Sequence, residues 1–296
     1  MLRKLSSYTF VLLGLITVLS SCKKEYESAE NIDNAKIAEY LAKNNVTATK
    51  DPDGTGFYYQ VTNPATGEFF KNTDSVLYSI TIKSLLNGTT YYTSPEWTNQ
   101  GTYVGYTTSA GALKLPGLLT VLHLLKPGGV GRLILPSYLA YGKNGSDVTG
   151  VPSNELIDFT ITTYPETKQA DLDDRRIRDF IAAKGLTAAK DDETGVYYVV
   201  TNAGAGDAID MTSTLTLNYT GRLFNGTGFD SSTDGTYKTS LPEAVAGFEV
   251  VKNFRKGAKV RLLIPSVQGY GTAGNGSAVQ PNTNLDFDVE IIEVVN

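Results

Sequence analysis

The sequence predicts an α+β protein of two tandem modules, each a curved antiparallel sheet wrapped on a short helix, with a further helix at its N-terminus. Residues 260–264 and 285–291 alternate apolar and polar side chains, as strands with one face in a core do. Residues 131–162 repeat this design, and each copy places a tyrosine, Tyr141 or Tyr270, between its two strands. A length of 296 residues suits two domains.

A second stretch is duplicated nearer the start of each copy. Residues 37–63 match residues 177–202 almost residue for residue, and each reads as an amphipathic helix, an acidic turn and a strand. A strand pair follows in each copy, joined by Asn-Gly at Asn87 and Asn225. We expect type I′ turns there, because both residues tolerate positive φ. A short helix comes next in both copies.

These patterns set the expected domain boundaries. The segments are an export signal at 1–22, a polar tether at 23–34, a first domain at 35–163, a linker at 164–171 and a second domain at 172–296.

The composition narrows the chemistry. The sequence has one cysteine, Cys22, and one histidine, His123. Ser-His-Asp triads, Cys-His pairs, disulfides and zinc sites built on several cysteines or histidines are therefore excluded, and we expect no metal and no cofactor. The net charge of −5 argues against nucleic acid as a partner, since phosphate binding needs a basic surface.

The N-terminus has the features of an export signal. Arg3 and Lys4 precede an apolar run at residues 10–19, which is shorter than the roughly 20 residues of a membrane span. The run ends in LSSC at Cys22, which resembles the lipobox of bacterial lipoproteins. That resemblance implies an acylated Cys22 and a membrane-anchored protein of the bacterial cell envelope, periplasmic or at the cell surface, with the outer membrane favoured. An ordinary signal with a chance cysteine is the alternative.

The second copy resembles the FKBP-type peptidyl-prolyl cis-trans isomerases. The similarity is carried, in the family's order, by LNYTGRLFNGTGFDSS at 217–232, VAGFEVV at 245–251, RLLIPSVQGYG at 261–271 and AVQPNTNLDFDVEIIEV at 278–294. It implies an FKBP-like fold, an apolar pocket for a proline ring, and isomerase activity on proline-containing polypeptides that helps exported proteins fold.

The resemblance also assigns residues to that pocket. Its walls are Tyr219, Phe229, Val245, Val279 and Phe287, its floor is Phe248, and Tyr237 is a further wall candidate. Asp230 corresponds to the acid that hydrogen-bonds near the substrate amide, and Tyr270 to the tyrosine whose hydroxyl binds a substrate carbonyl. Two departures from the family pattern, a span from Phe248 to Gly257 shorter by one residue and the absence of a proline pair near Val279, put the pocket rim in doubt.

The first copy resembles the family less. It keeps Tyr141, Val151 and Phe159, but counting back from Asn87 places Thr81 at the Tyr219 position, and Tyr91-Tyr92 and Leu118 replace Phe229-Asp230 and Phe248. We expect this domain to retain the fold with little activity.

A segment of the first copy, residues 93–113, holds three aromatic residues, Trp97, Tyr103 and Tyr106. Binding of a peptide or partner and ordinary loop packing both explain them. For the whole chain, the alternative to an isomerase is a non-catalytic peptide-binding lipoprotein built on two FKBP-like modules. An adhesin-like β-sandwich conflicts with the helices expected in each copy.

Overall fold

The computed structural model describes residues 28–107, 109–110 and 113–296. The expected signal segment and Cys22, the expected site of acylation, lie outside the described residues. No helix in the described ranges is long and apolar enough to cross a membrane.

The described chain contains three α-helices and fifteen strands. The helices are α1 (Ala29–Lys43), α2 (Pro116–Leu122) and α3 (Gln169–Lys184). The strands of the first half are β1 (Thr49–Lys50), β2 (Tyr58–Asn63), β3 (Ser75–Ser84), β4 (Thr90–Thr93), β5 (Gln100–Tyr103), β6 (Ser109–Ala110), β7 (Leu113–Lys114), β8 (Val130–Leu135) and β9 (Ile157–Thr163). Those of the second half are β10 (Ala189–Lys190), β11 (Tyr197–Asn202), β12 (Thr214–Leu223), β13 (Gly228–Ser240), β14 (Lys259–Ile264) and β15 (Leu285–Val295).

The strands form two large antiparallel sheets with the same connectivity. The first has the order β1-β2-β8-β9-β3-β4, with β5 also paired to β3, and the second has the order β10-β11-β14-β15-β12-β13. Each sheet packs its apolar face on one short helix to form its own core. The prediction of a mixed fold with antiparallel sheets and few helices is confirmed.

The short helix differs between the two halves. In the first it is α2, with Leu118, Val121 and Leu122 fully buried. In the second it is the 3₁₀ helix Ala246–Asn253. Its buried residues Phe248 and Val251 are three apart, which matches the three residues per turn of a 3₁₀ helix and aligns them on one face. A 3₁₀ helix advances further along its axis per residue than an α-helix does, which suits the span from Phe248 to Gly257, shorter by one residue than in the family.

The two Asn-Gly turns are not type I′, and that prediction is wrong. Gly88 and Gly226 have φ of +77° and +90°, but neither preceding asparagine has a positive φ. The second turn is a three-residue loop closed by a hydrogen bond from Leu223 N–H to Thr227 O at 2.9 Å. Asn225 Oδ1 accepts from the Thr227 N–H at 2.9 Å, and this local bond supports the asparagine without a left-handed backbone.

Helix α1 starts at Ala29, so residues 29–34 of the expected tether are helical. Ser28 caps the helix by accepting a hydrogen bond from the Asn31 N–H at 3.2 Å. Helix α3 likewise starts at Gln169, inside the predicted linker.

In each half, a buried aspartate on the N-terminal helix binds the loop that carries Tyr141 or Tyr270. Asp33 on α1 accepts from Ser137 N–H at 2.8 Å and Ser137 Oγ at 2.7 Å. Asp173 on α3 accepts from Ser266 Oγ at 2.7 Å, and burial raises the pKa of the Asp173 carboxyl. The duplicated contact fixes the start of both tyrosine loops on their helices.

Candidate functional site

A cavity of about 190 Å³ opens in the second half of the chain between β12, β13, β15 and the 3₁₀ helix. It is lined by Tyr219, Asp230, Tyr237, Thr239, Glu243, Ala244, Val245, Phe248, Tyr270 and Phe287. Six of the eight pocket residues assigned from the sequence therefore lie around one space. The cavity is smaller than the roughly 300 Å³ at the low end for drug-sized ligands, so it suits a single small ring.

Phe287 on β15 is the central aromatic side chain of the cavity. Its ring meets that of Phe248 edge to face, with centroids 5.1 Å apart, and that of Tyr219 at 6.1 Å. In the sheet, Tyr219 is opposite Val289 and Gly221 is opposite Phe287, so Tyr219 and Phe287 lie diagonally on one face. Edge-to-face pairs are favourable arrangements of aromatic quadrupoles and hold the walls in place.

Phe229 and Val279, also assigned to the walls, do not line the cavity. Phe229 lies at a register shift of β13, since Asp230 is opposite Gly221 and Gly228 is opposite Arg222, and the β13 residues that line the cavity are Asp230, Tyr237 and Thr239. Phe229 instead supports the lining, with its ring 5.4 Å from that of Phe287 and 6.4 Å from that of Tyr270. Val279 is fully buried in the core.

The polar side of the cavity is organised by one hydrogen bond. Tyr219 Oη donates to Asp230 Oδ2 at 2.9 Å. Burial, together with the adjacent Asp230 carboxylate, raises the pKa of Tyr219, so its hydroxyl remains a donor at neutral pH. Tyr237 packs on Tyr219 with ring centroids 4.9 Å apart, which places a third aromatic ring beside the carboxylate.

Tyr270 is half-buried and lies in a loop closed on itself. Gly271 N–H donates to Ser266 O at 2.9 Å, and Gly274 N–H donates to Tyr270 O at 3.1 Å. Gly271 has a φ of +54°, which a residue with a side chain rarely adopts. Through Ser266 this loop is also bonded to Asp173 of α3.

Sequence reasoning missed Thr239, Glu243 and Ala244. A signal for this part of the rim is present in the sequence, since Ser240 and Glu243 have the spacing of a capping box. In the structure the Ser240 N–H donates to Glu243 Oε2 at 3.2 Å at the start of a short 3₁₀ turn.

In the first half of the chain, Thr81 is not the counterpart of Tyr219. The first hairpin loop has four residues, because Ser84 N–H bonds to Thr89 O, whereas the second has three. Counting back from the asparagine is therefore wrong by one residue. Tyr219 is opposite Val289 and Ile80 is opposite Ile161, so the register gives Ile80 as the counterpart.

The same register confirms that Tyr92 stands where Asp230 stands. Tyr92 pairs with Ile82, as Asp230 pairs with Gly221. Tyr92 is exposed, and Ile82 is buried in the first core. The first domain thus lacks the acid, and isoleucines fill positions that Tyr219 and Gly221 occupy in the second.

The aromatic residues of the first-domain segment have different surroundings. The Trp97 ring packs on the second domain, with centroids 5.6 Å from Phe224 and 6.5 Å from Phe180. Tyr103 and Tyr106 are 55% and 78% exposed. Packing therefore accounts for Trp97.

The chain is similar to several known proteins. A family model described as FKBP-type peptidyl-prolyl cis-trans isomerase matches residues 206–292. A probable FKBP-type peptidyl-prolyl cis-trans isomerase of Haemophilus influenzae is 37% identical over 115 residues, covering 38% of this chain and 47% of that protein. An FK506-binding protein of Neisseria meningitidis is 39% identical over 85 residues, covering 27% of this chain and 78% of that protein.

The crystal structure of FkpA from Escherichia coli aligns with 35% identity and a TM-score of 0.37, covering 42% of this chain and 59% of that one. The chain thus spans about half the length of the H. influenzae relative and most of the length of the N. meningitidis protein. On the match that covers 78% of the N. meningitidis protein, together with the family model, the chain belongs to the FKBP-type peptidyl-prolyl cis-trans isomerase family.

Proposed function

We propose that the second domain catalyses cis-trans isomerisation of X–Pro bonds in exported polypeptides. The observation that carries this proposal is the convergence of Tyr219, Asp230, Phe248, Tyr270 and Phe287 on one small cavity. Aromatic rings form its base, and a carboxylate and two tyrosine hydroxyls lie at its side. This arrangement holds an apolar ring and orients the amide attached to it.

The physical chemistry of the reaction suits such a site. Rotation about a peptide bond crosses a barrier of about 18–20 kcal/mol, because amide resonance is lost in the twisted state. The twisted amide is less polar than the planar one. An apolar cavity therefore favours it over the ground state, and this differential binding is what accelerates a reaction. The reaction requires no covalent bond between these residues and the substrate, and no proton transfer.

The polar residues supply orientation. The Tyr270 hydroxyl donates a hydrogen bond to a substrate carbonyl, which fixes the chain beside the proline. Asp230 is held by Tyr219, at 2.9 Å, with its carboxylate facing the cavity, where it accepts a hydrogen bond from a peptide N–H beside the proline. Phe248 and Phe287 contact the ring.

The test is a proline-isomerisation assay on a chromogenic or NMR-observed peptide with the full chain. Tyr270→Phe removes one neutral hydrogen bond, so we expect kcat/KM to fall about 3- to 10-fold. Asp230→Ala removes a charged group, and we expect a loss of about 10- to 100-fold.

Tyr141→Phe is the matched control, because Tyr141 holds the corresponding loop position in the first domain; we expect it to retain full activity. A wild-type rate equal to that of buffer would overturn the proposal. Retained peptide binding in that case would identify a non-catalytic peptide-binding protein.

We also propose that the first domain is a diverged FKBP-like module with little activity, in tandem with the catalytic one. Support comes from the shared strand order of the two sheets and from Tyr92 at the position of Asp230. In a chain that carries Asp230→Ala and Tyr270→Phe, adding Tyr141→Phe should then leave the remaining isomerisation rate unchanged. Residual activity abolished by Tyr141→Phe would contradict this assignment.

We further propose that the protein is anchored to a membrane of the bacterial cell envelope through acylated Cys22. The support is the LSSC sequence after an apolar run of ten residues. Labelling of cells with a radioactive fatty acid should mark the wild-type chain and leave Cys22→Ala unlabelled. An equally labelled variant would contradict acylation at this cysteine.

A further inference from the structure

A loop of the first domain, residues 95–99 between β4 and β5, contacts the second domain. In the second domain residues 233–236 occupy the corresponding place and fold back on their own sheet, where Gly235 N–H bonds to Asn218 Oδ1 at 2.8 Å. The loop of the first domain instead reaches the second. Its Trp97 packs against Phe180 of α3 and Phe224, which are themselves stacked at 4.2 Å.

A buried arginine on α3 binds the backbone of this loop. Arg176 is 3% exposed, and its guanidinium donates to Thr98 O at 3.0 Å and to Asn99 Oδ1 at 2.7 Å. A further bond runs to the Tyr164 hydroxyl at 3.0 Å. In the first domain the same helix position holds Lys36, which is exposed. A guanidinium is buried only where fixed acceptors replace its water, so this face of α3 is built to receive the loop.

The end of the loop reaches the segment that follows Tyr270. Asn282 Nδ2 donates to Asn99 O at 3.0 Å, and Asn282 is 5% exposed. The backbone N–H of Asn282 donates in turn to Gly271 O at 2.8 Å. Gly271 is the residue next to Tyr270. Two consecutive hydrogen bonds therefore connect the first domain to the peptide that carries the cavity tyrosine.

The first domain contains the same turn without the interdomain bond. Asn154 has a φ of +58° and donates its N–H to Gly142 O at 2.8 Å, as Asn282, with a φ of +56°, does to Gly271. Asn154 is exposed, whereas Asn282 is buried under the loop. The backbone turn is thus a property of both copies, and the side-chain bond to the other domain is particular to the second.

We propose that residues 95–99 of the first domain brace the tyrosine loop of the second domain, with Asn282 as the positioning residue that transmits the contact to Tyr270. The link to catalysis rests on the isomerase activity proposed above. The contact between residues 95–99 and Asn282 can be tested whether or not the second domain is active.

The test measures hydrogen–deuterium exchange of the full chain by mass spectrometry over residues 265–284. Asn282→Gly keeps a residue that accepts positive φ and removes only the side-chain donor. We expect exchange in that segment to become about 3- to 10-fold faster, as the loss of one hydrogen bond implies. Asn154→Gly, which makes the same replacement in the first domain, should leave the segment unchanged.

A second pair of variants tests the loop from its other end. Trp97→Ala should accelerate exchange over residues 265–284, although Trp97 packs on Phe180 and Phe224, outside that segment. Tyr103→Ala removes a neighbouring exposed ring and should not. With Asn282→Gly, kcat/KM for isomerisation should fall by about the same 3- to 10-fold.

Equal exchange in Asn282→Gly and Asn154→Gly would overturn the brace. So would faster exchange without any loss of activity, because Tyr270 would then not depend on the contact. An inactive wild-type chain would refute only the isomerase proposal, since the exchange comparison would still decide whether the brace exists.

Discussion

Gly221 lies on β12 where two aromatic rings of the second domain approach the backbone. A Cβ at this position would lie 2.7 Å from Phe287 Cε1 and 2.8 Å from Phe229 Cζ. Separations below 3.0 Å essentially never occur for real Cβ atoms, so one or both rings must move. Gly221→Ala should therefore destabilise the second domain and displace Phe287, which lines the cavity.

The free-energy cost of overpacking at position 221 can be isolated by comparison with a second glycine of the same hairpin. Overpacking costs about 1–3 kcal/mol, whereas replacing glycine by alanine stabilises by about 0.4–1 kcal/mol through the unfolded chain. Gly228 pairs with Arg222 on the neighbouring strand, and a Cβ there would have no atom nearer than 4.0 Å. Gly228→Ala therefore gains the second contribution without the first. The difference between the two variants should be about 1–3 kcal/mol.

Scanning calorimetry of the full chain measures this difference in the transition of the second domain. For a domain of this size we expect Gly221→Ala to melt roughly 3–10 °C below Gly228→Ala. The isomerisation assay should show a lower kcat/KM for Gly221→Ala and an unchanged value for Gly228→Ala. Melting temperatures that agree within about 1 °C would refute the packing argument.

Three further outcomes follow from the structure. Phe287→Ala and Phe159→Ala remove equally buried rings and should each cost about 3–5 kcal/mol in calorimetry, but only Phe287→Ala should abolish isomerisation; equal activities would contradict the cavity assignment. A threonine hydroxyl and amide N–H bonded to Asp191 lower its pKa, so this carboxylate stabilises the fold above its unfolded pKa and loses that effect as pH falls through the folded value. Asp191→Asn should therefore flatten the decline of the melting temperature below about pH 4, and a parallel decline would refute this. Asp286→Ala strands Arg261, which it binds through both oxygens at 2.7 Å, and should cost about 3 kcal/mol in the same calorimetric transition; a loss below about 1 kcal/mol would show that water replaces the pair.

Much of the second domain could be predicted because its signals are local. Strands are predicted from the alternation of apolar and polar side chains over a few residues. The order of motifs around Asp230, Tyr270 and Phe287 predicted that these side chains lie in one pocket. Phe229 stands behind the lining residues because β13 shifts register there, with Asp230 opposite Gly221 and Gly228 opposite Arg222. A motif identifies such a residue without showing the bulge that sets its position.

The contacts between domains had no such signal. Trp97 is distant in the chain from Phe180 and Phe224, and no periodicity or turn rule relates them. The sequence showed only that an aromatic ring occupied a longer segment, and partner binding and loop packing remained equally good explanations. The same holds for Arg176, since an arginine on an amphipathic helix is ordinarily solvated and its burial depends on the carbonyl groups that meet it.

One additional residue in the first hairpin loop was the main source of error in aligning the two copies from the sequence. The extra residue before Asn87 displaces an alignment counted from the asparagine by one position, whereas the sheet register gives Ile80 as the counterpart of Tyr219 and Ile82 as that of Gly221. An error of one residue assigns side chains to the wrong face of a strand, and the turn geometry is needed to detect it. Ile82 lies opposite Phe159, where the second domain leaves the space above Gly221 for two aromatic rings.

The difference between the two domains therefore lies in β12 and β13 more than in the tyrosine loop. Both domains keep a tyrosine and a buried aspartate-to-serine contact, so these belong to the fold. A glycine at 221 admits the rings of Phe229 and Phe287. Phe287 lines the cavity into which Asp230 points, and Phe229 packs behind Phe287. Replacing Asp230 in the second domain should thus remove activity from an intact cavity, whereas restoring an acid at Tyr92 should restore none, because isoleucine at position 82 still occupies the space.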